Sequence, residues 1–406
     1  MFKSLNFKVI LFGFIFTFFS SFGQSYFIGI FNSSIRTDLS ITHGQFGTIY
    51  ASATLFSSLI LMWVGKKIDD MNAFRFSIFV IILLSVACYF FSTIKIIPLL
   101  FIGIFLLRLS GQGLMSHTAT TTVSRFFEKT RGKALSFTWL GLSAAEFILP
   151  VLMVFLLTII SWRDIWFYIS ILILIVLPFS SFFLIRKLKL ESRENSSEEK
   201  EIKNINIKQW TRVEVLKDYR FYIISLNMLS MPSIATGVFV YQSFIITSKN
   251  WGPFVMAQSF MVYSILSVIT LSISGFLIDK YSSRKLLIFM NIPIFFSSIV
   301  LFSFDSPFSS FVFLGLIGIT NGLANVLGSS TWAEIYGVKY LGGIKALTSG
   351  LMVFATATGT AVFGILIDFG YTINLIAMFS AIYIVIVVLL LFLFRKKIEP
   401  IYTKTP

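Results

Sequence analysis

Gly65-Lys-Lys-Ile-Asp69 and Gly275-Phe-Leu-Ile-Asp279 decide how this chain is read. Each closes a long apolar segment. Each is followed by basic residues: Arg75 after the first, and Lys280, Arg284 and Lys285 after the second. The two copies lie about 210 residues apart in a chain of 406. A short polar loop recurring at matching places in two apolar halves marks an internally duplicated membrane protein.

Composition agrees. Hydrophobic residues make up 56% of the chain and charged residues only 13%, about half the share found in an ordinary soluble domain. Mean hydropathy is +0.87. Runs such as Ile382 to Phe394 do not alternate in polarity, which sets aside a membrane β-barrel. The formal charge of +15 is spread over alternate loops, not gathered on one face, so it does not point to nucleic acid. One cysteine, Cys88, excludes an internal disulfide and a cysteine metal site. It reads as a small core residue.

The fold class expected is an all-α polytopic membrane protein of twelve transmembrane helices in two pseudo-symmetric six-helix bundles. Residues 1–186 form the first bundle and 219–406 the second, which ends in a short cytoplasmic tail. The helices fall near 8–32, 44–64, 74–93, 97–124, 133–160 and 165–186, then 220–247, 254–278, 285–304, 308–332, 342–368 and 372–394. Residues 187–218 are a charged cytoplasmic linker, with a short surface helix around Lys208 to Leu216. Its run Glu191-Ser-Arg-Glu-Asn-Ser-Ser-Glu-Glu-Lys-Glu201 cannot form a core. Lys3 and Lys8 before an apolar run raise a cleaved signal as the alternative. The run to Phe31 is long for one, and its removal would leave an odd number of spans.

Lysine and arginine set the orientation. With both termini in the cytoplasm, 28 of the 33 basic residues fall inside. Arg36, Lys95, Arg163 and Lys249 fall outside, and Arg108 lies within a span. That asymmetry expects a multi-pass protein of the cytoplasmic (inner) membrane. Trp162 and Trp166 flank Arg163 at the outer boundary, where an aromatic belt is expected. The duplication extends further. Gln45-Phe-Gly-Thr-Ile-Tyr50 is echoed by Gln258-Ser-Phe-Met-Val-Tyr263, Gln112-Gly-Leu114 by Asn321-Gly-Leu323, and Arg131-Gly-Lys-Ala-Leu135 by Gly343-Ile-Lys-Ala-Leu347.

Gly-x-x-x-Asp followed by basic residues resembles the signature loop of the major facilitator superfamily, and the twelve-span pattern extends that resemblance over essentially the whole chain. The resemblance implies gating roles for Gly65, Asp69 and Arg75 and for Gly275, Asp279 and Arg284. In the first copy Asp70 stands where the family has a basic residue and Asn72 where it has glycine. Asparagine tolerates a left-handed turn, so the bend is expected to survive. The alternative for both aspartates is a solvated loop carboxylate.

Arg108-Leu-Ser-Gly-Gln-Gly113 resembles the family's second motif. Arg108 lies near mid-depth, where a charge needs a partner or a cavity. Glu146 is its candidate partner and the candidate carrier of a coupling proton. The alternative is a permanent ion pair between helices four and five. Gln112 shares the Arg108 face. The helices that the family uses to line its cavity carry Gln24, Asn227, Tyr241, Gln242, Asn321 and Asn325. Of these, Gln24, Tyr241, Gln242, Asn321 and Asn325 join Arg108 and Gln112 as candidate substrate contacts. Interhelical hydrogen bonding is the plainer role for any one of them. His117 is a candidate proton relay, or else a packed neutral imidazole.

No P-loop, His-Glu-x-x-His or nucleophile elbow is present. The expectation is therefore no enzyme and no cofactor, with transport driven by a gradient. Gly23-Gln-Ser-Tyr-Phe27, Arg125-Phe-Phe-Glu-Lys-Thr-Arg-Gly132 and Ala333-Glu-Ile-Tyr-Gly337 look similar to the monocarboxylate and oxalate–formate branch. That similarity implies a small organic anion moved by alternating access with a proton, or against a counter-transported anion. The expected partners are the anionic solute, the proton or exchanged anion, and the lipid bilayer; a monomer is expected. Export of amphipathic drugs or metabolites by proton antiport is the alternative, though Ala145-Glu146 stands where drug antiporters carry Gly-Pro. A transport-like nutrient sensor is the other, and it lacks room for a signalling domain.

Overall fold

The computed structural model describes residues 4–127, 130–186 and 207–402. Most of the expected linker, residues 187–206, lies outside these, as do the side chains of Asp69 and Asp279. Among the described residues twelve helices are long and apolar enough to cross a membrane. They are Asn6–Gly23, His43–Ile68, Ala73–Ser92, Ile97–Phe126, Gly132–Leu157 and Trp162–Ile185, then Tyr219–Val240, Pro253–Ile278, Ser283–Ser303, Pro307–Tyr336, Leu341–Asp368 and Ile373–Phe394. The only extended pairing described is an isolated antiparallel bridge between Ile207 and Tyr402. The fold class read from the sequence holds.

Helices are the answer to a solvent that offers no hydrogen bonds, because each satisfies its backbone within itself. Their starts are chemically marked. Thr42 and Gln45 form a capping box before the second span. Asn72, Ser161 and Thr372 cap the third, sixth and twelfth. Proline stands in the first turn of the fourth and tenth. Asn72 corrects an expectation: it does not enter the left-handed region but is extended (φ −61°), its Oδ1 accepting from the Phe74 N–H. In the second copy Ser282 carries the positive φ, at 69°.

Four spans depart from continuous α-helix, the ninth through a 3₁₀ turn over Leu287–Phe289 between Leu286 and Ile292. The first is α-helical to Phe19, tightens to a 3₁₀ turn over Ser20–Gly23, becomes extended at Gln24 and resumes at Ser25. The fourth opens into a π-helical stretch over Arg108–Met115. The seventh stops at Val240 and restarts at Gln242. The unbroken helices expected over 8–32 and 220–247 are therefore each interrupted by one residue that leaves helical geometry.

The described residues group into two compact units. The first contains the first six spans, with Thr236–Met261 and Thr360–Gly370. The second contains 207–235, Val262–Gly359 and 371–402. The units thus cut across the two sequence halves. Hydrogen bonds explain the transfer. Asn32 Nδ2 donates to the Val240 carbonyl at 2.8 Å, and Gln242 Nε2 to the Tyr26 carbonyl at 2.8 Å. Trp162 and Trp166 are buried in the first unit among Phe27, Phe31 and Phe91. The expected interfacial belt is corrected there: at these positions a tryptophan fills the core. Asp38 accepts from the Trp162 indole at 2.7 Å and pairs with Arg163, whose other amine reaches the Ile94 carbonyl. The indole bond, followed by the arginine, holds the Asp38 carboxyl below its usual range.

In the second unit Asn227 and Asn291 bind each other, and Asn227 also binds the Leu287 carbonyl. That makes Asn227 an interhelical tie. The linker's end forms the expected short helix, at Arg212–Lys217, behind a Thr211–Glu214 capping box. The Thr211 backbone N–H, with Lys208, draws the Glu214 carboxyl down to about 2. Arg220 pairs with Asp218 at 2.7 Å and donates to the Glu399 carbonyl at 2.5 Å. Its guanidinium also faces the rings of Trp210 and Tyr336.

Candidate functional site

The break in the first span and the π-helical stretch of the fourth meet backbone to backbone. A β-carbon at Gly23 would stand 2.3 Å from the Leu107 carbonyl oxygen and 2.4 Å from the Gln112 nitrogen. One at Gly111 would stand 2.6 Å from the Gly23 nitrogen. Only two glycines permit this approach. The extended Gln24 (ψ 152°) turns the Gly23 carbonyl out of the helical ladder, and Arg108 takes it up.

Arg108 is 3% exposed. Its Nη1 donates to the Gly23 carbonyl at 3.1 Å and to Ser25 Oγ at 3.3 Å. The Tyr50 ring lies 5.4 Å from the guanidinium carbon, and the Tyr50 hydroxyl donates to the same Ser25 Oγ at 2.9 Å. Arg108 Nε has no hydrogen-bond partner. Buried polar groups are rarely left unpaired, and this one adjoins the break.

Glu146 is also buried, but it does not pair with Arg108: the guanidinium is held by the neutral oxygens just described. The expected ion pair is thus absent, because the break supplies its own acceptors. Glu146 lies within electrostatic reach of Tyr26. It is placed there by the packing of the fifth span on the first. Thr17 Oγ1 donates to the Thr138 carbonyl at 2.6 Å. A β-carbon at Gly141 would meet the Phe14 carbonyl oxygen at 2.0 Å.

The other expected contacts divide. Gln24 and Gln112 are half-buried beside the break. His117 Nε2 lies 3.1 Å from the Gly65 carbonyl, so the two are neighbours in the first unit. Tyr241 and Gln242 are engaged at the opposite end. The Tyr241 hydroxyl donates to the His43 carbonyl at 2.9 Å. There Asp368 accepts from Thr42 Oγ1 at 2.6 Å, from the His43 N–H at 3.0 Å and from the Gly44 N–H at 2.8 Å. It caps the second span as a carboxylate should. A cavity of about 520 Å³ opens beside it, walled by Thr48, Ile97, Ile365 and Phe369. None of the expected substrate contacts lines it. In the second unit Asn321 donates to Ser267 Oγ at 2.8 Å, and Asn325 is exposed.

The gating residues differ between copies. Arg284 pairs with Glu334 at 3.1 Å and with Glu399 at 3.4 Å, while Glu334 also accepts from Ser283. Arg75 is exposed. At the position the repeat equates with Glu334 stands Arg125, which donates to the Ile68 carbonyl at 3.2 Å. Sequence reasoning missed Ser25, Tyr50 and Asp368. Ser25 and Tyr50 lay inside stretches already singled out as motif and repeat, and a hydroxyl two residues past a glycine was the available signal. Asp368, at the end of a span, gave none.

Twelve apolar helices, with broken spans meeting at a buried cation, define the class: a multi-pass membrane transporter. The chain belongs to the Major Facilitator Superfamily, whose sequence model matches residues 13–315 and 238–405. Solved structures share the fold. A bacterial homologue of the human lysosomal transporter Spinster is 12% identical, with 98% of each chain covered and a TM-score of 0.71. The nucleoside transporter NupG is 13% identical, with 96% of this chain and 99% of that one covered and a TM-score of 0.72. No curated protein matches the chain.

Proposed function

We propose that this protein is a secondary active transporter of a small organic anion, of the size of a monocarboxylate, coupled to a proton. One observation carries the reading: Arg108 is a buried cation whose protein partners are all neutral. An uncompensated charge in the membrane interior is costly and marks a function. A carboxylate is the counter-charge that a guanidinium's planar fork fits best. Glu146 supplies the coupling. A lone carboxylate there is far more costly to bury than a carboxylic acid, so the proton that neutralises it travels with the solute. The resemblance of the Gly23–Phe27 and Ala333–Gly337 segments to the monocarboxylate branch supports the same class. Asn321 and Asn325 are proposed as further substrate contacts. Gly65, Asp69, Arg75, Gly275, Asp279 and Arg284 are proposed to gate at the cytoplasmic side.

A thermal-shift screen of purified protein against small carboxylates, sugars, nucleosides, amino acids and cationic drugs tests this. At least one carboxylate should stabilise the wild type, and Arg108→Gln should lose the shift. Stabilisation by neutral or cationic solutes alone, unaffected by Arg108→Gln, contradicts the reading.

A further inference from the structure

The bonding around Arg108 has a feature that a permanent structural tie does not need. Both acceptors fall on one nitrogen, Nη1, while Nε has no partner. A guanidinium presents five donors in a rigid fork. Both acceptors are also divided or displaced from regular structure. Ser25 Oγ serves Tyr50 and Arg108 at once. The Gly23 carbonyl reaches Arg108 only because Gln24 is extended.

We infer that the Gly23 carbonyl and the Ser25 hydroxyl are resident competitors for Arg108, which an incoming carboxylate displaces, and that Ser25 sets the affinity of the site while Tyr50 holds Ser25 back. This rests on the anion reading above and deepens it. A carboxylate offers two charged oxygens to the fork where the protein offers neutral ones, and charge-assisted bonds are about twice as strong. Exchange therefore runs toward the solute, and the return of Gly23 and Ser25 expels it. Because Tyr50 donates to Ser25, it occupies acceptor capacity that Ser25 would otherwise turn to Arg108. Ser25 and Tyr50 are thus positioning residues of opposite sign.

Opposite signs make the test sharp. Affinities for formate, L-lactate, pyruvate and oxalate are read from ligand-dependent melting of wild type, Arg108→Gln, Ser25→Ala, Ser25→Cys and Tyr50→Phe. With one competitor gone, Ser25→Ala should melt lower without carboxylate, yet bind the best probe about fivefold more tightly, the scale of one net hydrogen bond. Ser25→Cys, a poorer acceptor, should follow in the same direction by less, and serves if the alanine variant fails to fold. Tyr50→Phe frees Ser25 for Arg108 and should weaken binding by about two- to threefold. Equal or weaker binding in the Ser25 variants, with wild type still responding and Arg108→Gln not, overturns the competition and leaves the anion reading intact. A wild type that no carboxylate stabilises overturns both.

Discussion

At the residue scale Arg108 and Glu146, both buried in the first unit, are separate: Arg108 rests on neutral oxygens and not on Glu146. Under the proposed function each then takes a partner from outside the protein. Glu146→Gln should therefore abolish accumulation driven by an imposed proton gradient while preserving exchange of solute for solute, measured in proteoliposomes. Undiminished proton-driven accumulation would remove Glu146 from the coupling. Asp38 makes a second case. Its carboxyl is held below the usual range, first by the Trp162 indole and then by Arg163. A depressed carboxylate contributes stability above its ordinary value, about 4, and that contribution is lost as pH falls through the depressed one. Asp38→Asn should therefore melt below wild type at pH 7, with the difference closing toward pH 3.

The existence of a buried charge was legible because arginine and glutamate inside apolar runs are conspicuous. Their failure to pair was not, since equal depth in neighbouring helices says nothing of what else competes for a guanidinium. Here the competitor is a backbone carbonyl, and a sequence does not announce a carbonyl turned out of its ladder.

At the element scale the interrupted first span is the organising feature. A break costs backbone hydrogen bonds, and in a membrane each must be recovered. Arg108 recovers the Gly23 carbonyl, and the π-helical stretch opposite it accommodates the approach. π-helical stretches of this kind are often found at functional sites. The fifth span is seated on the first through Gly141. Gly141→Ala should lower stability by about 1–3 kcal/mol through overpacking against the Phe14 carbonyl, read as a fall in melting temperature. At the end assigned to the outside, Asp368 binds the start of the second span. Asp368→Asn removes the charge that favours this contact, worth about 1 kcal/mol. Thiol labelling of Ile28→Cys, a fully buried position, should then rise about fivefold. The native Cys88 is buried and contributes little background. Unchanged labelling would mean that Asp368 does not control access to that end. Periodicity and hydropathy located every span, yet not the departures from α-helix, because the breaks at Gln24 and Tyr241 are changes of backbone angle that hydropathy does not report.

At the scale of the whole molecule the internal repeat was the strongest signal in the sequence, and it survives in the structure with altered chemistry. Glu334 binds Arg284 and the start of the ninth span, whereas its counterpart Arg125 donates to a backbone carbonyl. One scaffold position thus holds opposite charges in the two halves. Duplication preserved the helices, which composition specifies, and freed the polar residues to diverge. The joining of Thr236–Met261 and Thr360–Gly370 to the first unit was not legible, since it depends on hydrogen bonds such as Asn32 to Val240 that no local pattern encodes.

Everything proposed for this transporter turns on a small carboxylate held by Arg108. Uptake of radiolabelled formate, L-lactate, pyruvate and oxalate into proteoliposomes with an inward proton gradient tests it most directly. Saturable accumulation of at least one of them is expected, abolished by Arg108→Gln. Accumulation of none, or accumulation that Arg108→Gln leaves intact, would contradict it.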